Sequence, residues 1–377
     1  MAKVSKRARS PSASISPPPI RRRLNPPAAA AAAAESDAAG AREAADTSAS
    51  ASASHLRIYS WNVNGIGPFL QKPITSFFTS STAAAAAAAP SPNSLRNFLR
   101  RHAWPQMLCL QEVKINAQDE TTQRALERAA NVDDGNDDGT GPGYRARYCL
   151  PRDRFNARGF GGKVYGVATL VRDDFAAERV LRTREVAWDG EGRVLLTELR
   201  RRVVVINAYW VNGTHHPWRS SETGAVVGTR HDCKRAFHAR MLRECRAYER
   251  AAWTVLLVGD MNVAPGPLDG YPGLRLGADH VCSRADFNAK FLVDADGLRG
   301  VDVFRHLHGQ ARKYTYRARG IEWGSSCDRV DLIIASRGAV DKGVLVKADI
   351  MDTVTDRGHS DHVPLFVTLD LEKVSAG

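Results

Sequence analysis

From Leu56 onward the chain repeats one pattern, a short apolar run followed by a polar loop. The runs are LRIYSWNV, MLCLQEV, VYGVATLV, RVLLTEL, RVVVINAYW, TVLLVGDM, RVDLIIAS and HVPLFVTL. Each has the length and β-branched content of a strand, and several are apolar throughout, which predicts strands covered on both faces. Helical spacing appears at 94–102, 117–130, 232–251 and 285–292, with the third the longest. Strands outnumber long helices, and some adjoin closely enough to pair as hairpins. The pattern therefore predicts packed mixed sheets flanked by helices rather than a strictly alternating parallel fold. Two low-complexity segments, STAAAAAAAPSP at 81–92 and NVDDGNDDGTGPG at 131–143, read as surface loops.

Residues 1–54 differ in kind. They are rich in Ala, Ser, Pro and Arg, include a seven-alanine run at 28–34, and lack apolar periodicity, so they read as a disordered tail ahead of a folded domain at 55–372. SKRARS and PIRRR resemble a two-part nuclear import signal. Prolines 11, 17, 18 and 19 would break the amphipathic helix of a mitochondrial presequence, so a nuclear location is expected ahead of a mitochondrial one.

Composition narrows the partners. The net charge is +12, but seven basic residues and no acid precede position 35, leaving the body at about +5. Such a body suits a local basic face for nucleic acid. The six cysteines, at 109, 149, 233, 245, 282 and 327, have neither disulfide nor zinc-cluster spacing. No apolar stretch reaches the ~20 residues that cross a bilayer, so a soluble intracellular protein without a membrane partner is expected, as a monomer.

The polar residues fall at strand ends. WNVNG follows LRIYS, QE follows LCL, AYWVNG follows VVVIN, GDMN follows VLLV, and SDH precedes VPLFV. One Asn or Asp at a strand end is an ordinary turn residue; five groups gathered by one sandwich make a pocket. Glu112 with Asp361 suits a hard cation such as Mg2+. Asn62, Asn212 and Asn262 suit phosphate, Asp260 suits water, and His362 suits a buried carboxylate partner such as Asp331. Metal-assisted phosphodiester hydrolysis is the reaction these types fit.

In order, SWNVNGI, CLQEVK, YGVATLVR, AYWVNG, VGDMNVAP, DRVDLIIAS and GHSDHVPL resemble the endonuclease/exonuclease/phosphatase superfamily. The similarity is to its exonuclease III-like class II AP endonuclease branch, and within that to the second eukaryotic AP endonuclease. It spans about 55 to 370. The resemblance implies an α/β fold, a DNase I-like four-layer α/β sandwich with two mixed sheets packed face to face. It implies a metal-dependent DNA repair hydrolase that cleaves 5′ to abasic sites or acts as a 3′-5′ exonuclease or 3′-phosphodiesterase. Asn62, Asn64, Glu112 and Asp361 would hold Mg2+, with Mn2+ the alternative. Tyr209 and Asn212 would meet the phosphate, with Asn62 beside them. Asp260 and Asn262 would align water, and Asp331 would orient His362. Duplex DNA with abasic sites or 3′ ends would be the substrate. Two other readings stand beside this one: an RNA or phosphotyrosyl-DNA phosphodiesterase on the same fold, and a non-catalytic DNA- or clamp-binding protein.

Three features depart from the pattern. Asn64 stands where some relatives have Asp, Trp210-Val211 stands where many have Val-Pro, and no C-terminal zinc finger is expected after the last strand. His215, His216 and His231 lie in a long connection that reads as a solvated loop rather than as zinc ligands. QKPITSFF resembles a sliding-clamp box, in which Gln71, Ile74, Phe77 and Phe78 would form the plug; packing on the domain is the competing reading.

Overall fold

The computed structural model describes residues 55–70, 94–132, 141–157 and 165–374. The N-terminal tail, the clamp-like box and most of the two low-complexity segments lie outside these residues.

The first sheet contains β1 (His55–Asn62), β2 (Met107–Gln111), β3 (Tyr144–Cys149), β4 (Val167–Arg172), β16 (Leu345–Ile350) and β17 (Leu365–Asp370), in the order β16-β17-β1-β2-β4-β3. The second contains β5 (Val180–Glu185), β6 (Val194–Leu199), β7 (Val203–Tyr209), β10 (Thr254–Asp260), β12 (Val301–Asp302) and β15 (Asp331–Ala335), in the order β12-β15-β10-β7-β6-β5. β1 pairs with β2, and β7 with β10, in parallel; the other pairs are antiparallel, so both sheets are mixed. A hairpin of β8 (Pro217–Arg219) and β9 (Val226–Thr229) and a small sheet of β11 (Gly270–Tyr271), β14 (Cys327–Asp328) and β13 (Tyr316–Arg317) lie apart from them.

The apolar runs bury both faces because each sheet is covered twice. Leu56, Ile58 and Met107 of the first sheet meet Val203, Leu256 and Ile333 of the second in one cluster. On the outer face of the first sheet Leu108 and Leu110 pack with Phe98, Leu99 and Leu126 from helices Leu95–Arg101 and Glu120–Asn131. On the outer face of the second, Val204 and Leu257 pack with Phe237, Met241 and Phe287 from helices Arg230–Arg250 and Ala278–Asn288. The result is the expected four-layer sandwich.

Two expectations need correction. The helix placed at 285–292 begins at Ala278 and continues as a wider turn over Ala289–Val293. Its first turns are hard to read from the sequence because Val281 and Cys282 face outward and Ser283 is buried. The connection after Asn212 is no plain solvated loop. It folds into the β8–β9 hairpin and enters the long helix, where Thr229 and Asp232 form a reciprocal capping box and His231 is buried.

Candidate active site

Both sheets end their central strands on one cavity of about 230 Å3, and the polar groups predicted from the sequence stand at those ends. Its wall includes Asn64, Glu112, Tyr209, Asn212, Asp260, Asn262, Asp361 and His362. Asn62 and Asp331 stand behind the wall and hold others in place. In the second sheet Tyr209, Asp260 and Asp331 form one row, since Asp260 is the Cα partner of both neighbours. The close approach beneath that row depends on Gly259, at φ +135°; a Cβ there would meet the Ala208 carbonyl oxygen at 2.1 Å.

The last loop reaches this row through side-chain bonds. Ser360 Oγ donates to the Asn62 carbonyl (2.6 Å) and accepts from the His362 backbone N–H (3.1 Å). Trp61 Nε1 donates to the His362 carbonyl (3.1 Å). His362 Nδ1 then lies 2.7 Å from Asp331 Oδ2, with Nε2 turned toward Asp260 Oδ2 at 4.0 Å. Burial works against a charged ring, yet Asp331, its hydrogen bond and Asp260 outweigh it and push His362 up to about 10. Burial, followed by the Asp331 charge, raises Asp260 to about 7. Asp260 is fixed on both oxygens: the Asn262 backbone N–H donates to Oδ1 (2.8 Å) and Asn62 Nδ2 to Oδ2 (3.0 Å).

A second cluster of oxygens faces the same cavity. Asn62 Nδ2 also donates to Glu112 Oε1 (3.0 Å), and Asn64 Nδ2 donates to Asp361 Oδ1 (2.8 Å). Lys114 Nζ lies 3.1 Å from Glu112 Oε2 and also donates to Asn64 Oδ1. Burial favours a neutral Glu112, but Lys114 and the Asn62 bond hold it below the usual carboxylate range. A cationic head already seated among carboxylate and amide oxygens marks a cage whose hard donors fit Mg2+ or Mn2+. Asp260, Asp331 and His362 also lie close enough to share an ion. His362 Nδ1 is engaged with Asp331, however, and a protonated ring is no ligand, so the Glu112 cage is the better cation site.

The backbone is strained around both clusters. Asn64, Glu112, Lys114 and Asn262 have φ between +50° and +54°, a left-handed conformation that non-glycine residues rarely adopt. Such residues persist where the surroundings over-determine them, as the paired amides and carboxylates do here.

The sequence reading missed two supports. Lys234 is a buried part of the cavity wall, donates to the Asn262 carbonyl (2.7 Å) and is brought down to about 7 by burial. Its neighbours in sequence are helical and mixed, so nothing short of the fold separates it from a surface lysine. Gln111 Nε2 donates to Asn207 Oδ1 (2.8 Å), a bond between the two sheets below the site. Gln111 belongs to CLQEVK, but its partner Asn207 is hidden at the end of the apolar run VVVIN.

Residues 59–362 match the model of the Endonuclease/Exonuclease/phosphatase family. The chain belongs to that family. A search of curated proteins found no match. Among solved structures, the APE2 catalytic domain of Xenopus laevis is similar with a TM-score of 0.57 at 20% identity, covering 84% of this chain and 92% of that one. An AP endonuclease from Archaeoglobus fulgidus gives 0.55 at 19%, covering 84% and 99%. The 3′ phosphatase NExo from Neisseria, bound to a product DNA hairpin, gives 0.54 at 19%, covering 84% and 99%. At these identities the likeness is one of fold, and it agrees with the two-sheet sandwich of the Endonuclease/Exonuclease/phosphatase family.

Proposed function

We propose that the protein hydrolyses DNA phosphodiesters with Mg2+, cutting duplex DNA 5′ to abasic sites or removing groups from 3′ ends. The observation that carries the reading is the pairing of an Asp331-held imidazolium, His362, with a carboxylate of near-neutral pKa, Asp260, on one cavity wall. A base poised near the working pH suits proton transfer from water, and a fixed positive ring suits the charge that develops on phosphate oxygens.

In this reading Asp260 takes the proton of the attacking water, its lone pairs aimed by Asn62 and the Asn262 backbone. His362, Tyr209 and Asn212 face the phosphate. Bound between Glu112, Asp361 and Asn64, a hard divalent cation would supply Lewis-acid charge to the phosphate oxygens. Arg275 and Arg284 give the cavity a basic side, which suits a polyanion whose binding weakens with salt. Fold relatives that include an AP endonuclease and a 3′ phosphatase holding DNA support DNA over other phosphodiesters.

The test is cleavage of an end-labelled duplex carrying one abasic-site analogue, with Mg2+ or EDTA, by wild type, His362→Ala and Glu112→Ala. A Mg2+-dependent cut 5′ to the lesion, lost in both variants, is the expected result. Shortening of 3′ ends alone assigns the exonuclease or 3′-phosphodiesterase branch. An intact substrate in every lane overturns the reading and turns attention to RNA or phosphotyrosyl-DNA substrates.

A further inference from the structure

Beside the hydrolytic cavity lies a second cluster, built from three separate segments. His215 comes from the connection that follows Asn212, His231 from the first turn of helix Arg230–Arg250, and Asp279 from the first turn of helix Ala278–Asn288. One ligand atom from each lies within 4.8 Å of the other two. His215 Nδ1 is 3.8 Å from Asp279 Oδ2, and the rings of His215 and His231 are 5.2 Å apart between centroids. His231 is 2% exposed, and its Nδ1 has no hydrogen-bond partner. A buried ring nitrogen left unbonded is costly unless a cation or a water engages that nitrogen.

We propose that His215, His231 and Asp279 form a site for a divalent cation of the zinc class, distinct from the Glu112 cage. Two imidazoles and one carboxylate are the donors that borderline late first-row cations select, whereas Mg2+ prefers the all-oxygen cage. Three protein ligands leave a fourth position for water or for His280, whose ring centroid is 5.1 Å from that of His231. Arg235 approaches the other oxygen of Asp279, Oδ1, at 3.8 Å, which leaves Oδ2 to the cluster. The site does not depend on the hydrolytic reading. Its consequence would be mechanical: a bound ion would join the loop carrying Asn212 to the helix carrying Lys234, both on the cavity wall.

The test is isothermal titration of the chelator-stripped full chain with Zn2+ in excess Mg2+, repeated with Co2+ and read by visible absorption. One equivalent of Zn2+ is expected, with a tetrahedral Co2+ spectrum. His215→Ala and His231→Ala are each expected to weaken uptake by at least about tenfold, while His216→Ala and Glu112→Gln leave it unchanged. The His215 side chain is 84% exposed, so its removal tests the ligand without threatening the fold. Absence of stoichiometric uptake, uptake that survives His215→Ala, or uptake lost in Glu112→Gln would each overturn the proposal.

Discussion

Asp260 and Asp331 face each other as Cα partners across the antiparallel pair β10–β15, and both are buried. Two carboxylates directly opposite in a sheet repel, more so where water is excluded. His362 resolves the conflict by bonding Asp331 and turning its other nitrogen toward Asp260, so the three residues behave as one proton-sharing unit.

That unit predicts the pH dependence of catalysis. kcat/KM should rise through an apparent pKa near 7 as Asp260 loses its proton, then fall toward about 10 as His362 loses its own. Asp331→Asn removes the charge that raises His362, so the alkaline limb should move to lower pH. A limb that stays in place would show that another group controls it.

Stability should follow the same protons. The folded pKa of His362 is raised above the ordinary value of ~6.5, so its contribution is complete below ~6.5 and is lost as pH rises through about 10. Urea-unfolding free energies between pH 6.5 and 10 should therefore decline more steeply in wild type than in His362→Gln. Parallel declines would contradict the assignment.

Asn64 tempers the charge of the cation cage. Asn64→Asp would set a carboxylate against Asp361 in place of a 2.8 Å amide bond. The metal-free protein should melt at a lower temperature than wild type. With Mg2+ its Tm should rise further, and half-saturation should come at about tenfold lower Mg2+, since added ligand charge tightens such sites. Thermal melts across a Mg2+ series measure both effects, and a Mg2+ response no larger than that of wild type would count against the cage.

Arg329 anchors the start of β15. It is 1% exposed, donates to Asp269 Oδ1 (2.8 Å) and bridges both oxygens of Asp302 (2.5 and 3.1 Å). Arg329→Ala would strand Asp302 without this partner, and breaking a buried pair this way costs about 3–5 kcal/mol. Chemical denaturation would read that loss directly; a change below about 1 kcal/mol would mean the cluster relaxes into water.

The eight apolar runs became eight central strands, whereas the strands without such a run, β3, β5, β12 and β16, are the four edges of the two sheets. An edge strand is half exposed, and YRARYC and VLRTRE alternate or expose their arginines. Burial on two faces writes itself into sequence; burial on one is diluted. The site was legible for the same reason, since its side chains stand at the ends of central strands. The His215–His231–Asp279 cluster was not, because three helix and loop beginnings meet there without any spacing that announces it. The opposite holds for Asn64, Glu112 and Asn262, whose identities were visible while their left-handed backbone was not.

The bond from Trp61 to the carbonyl of His362 spans 301 positions, and it lies where the first described strand, β1, runs against the last, β17. Contacts of such separation are slow to form, because the entropy of closing the loop between them must be met before the contact rewards it. During synthesis Asn62 and Glu112 emerge long before Asp361 and His362, so neither the cation cage nor the proton-sharing unit is complete until the loop that carries them has docked. In the proposed reading, hydrolytic competence would arrive only as that loop and β17 join β1 in the first sheet.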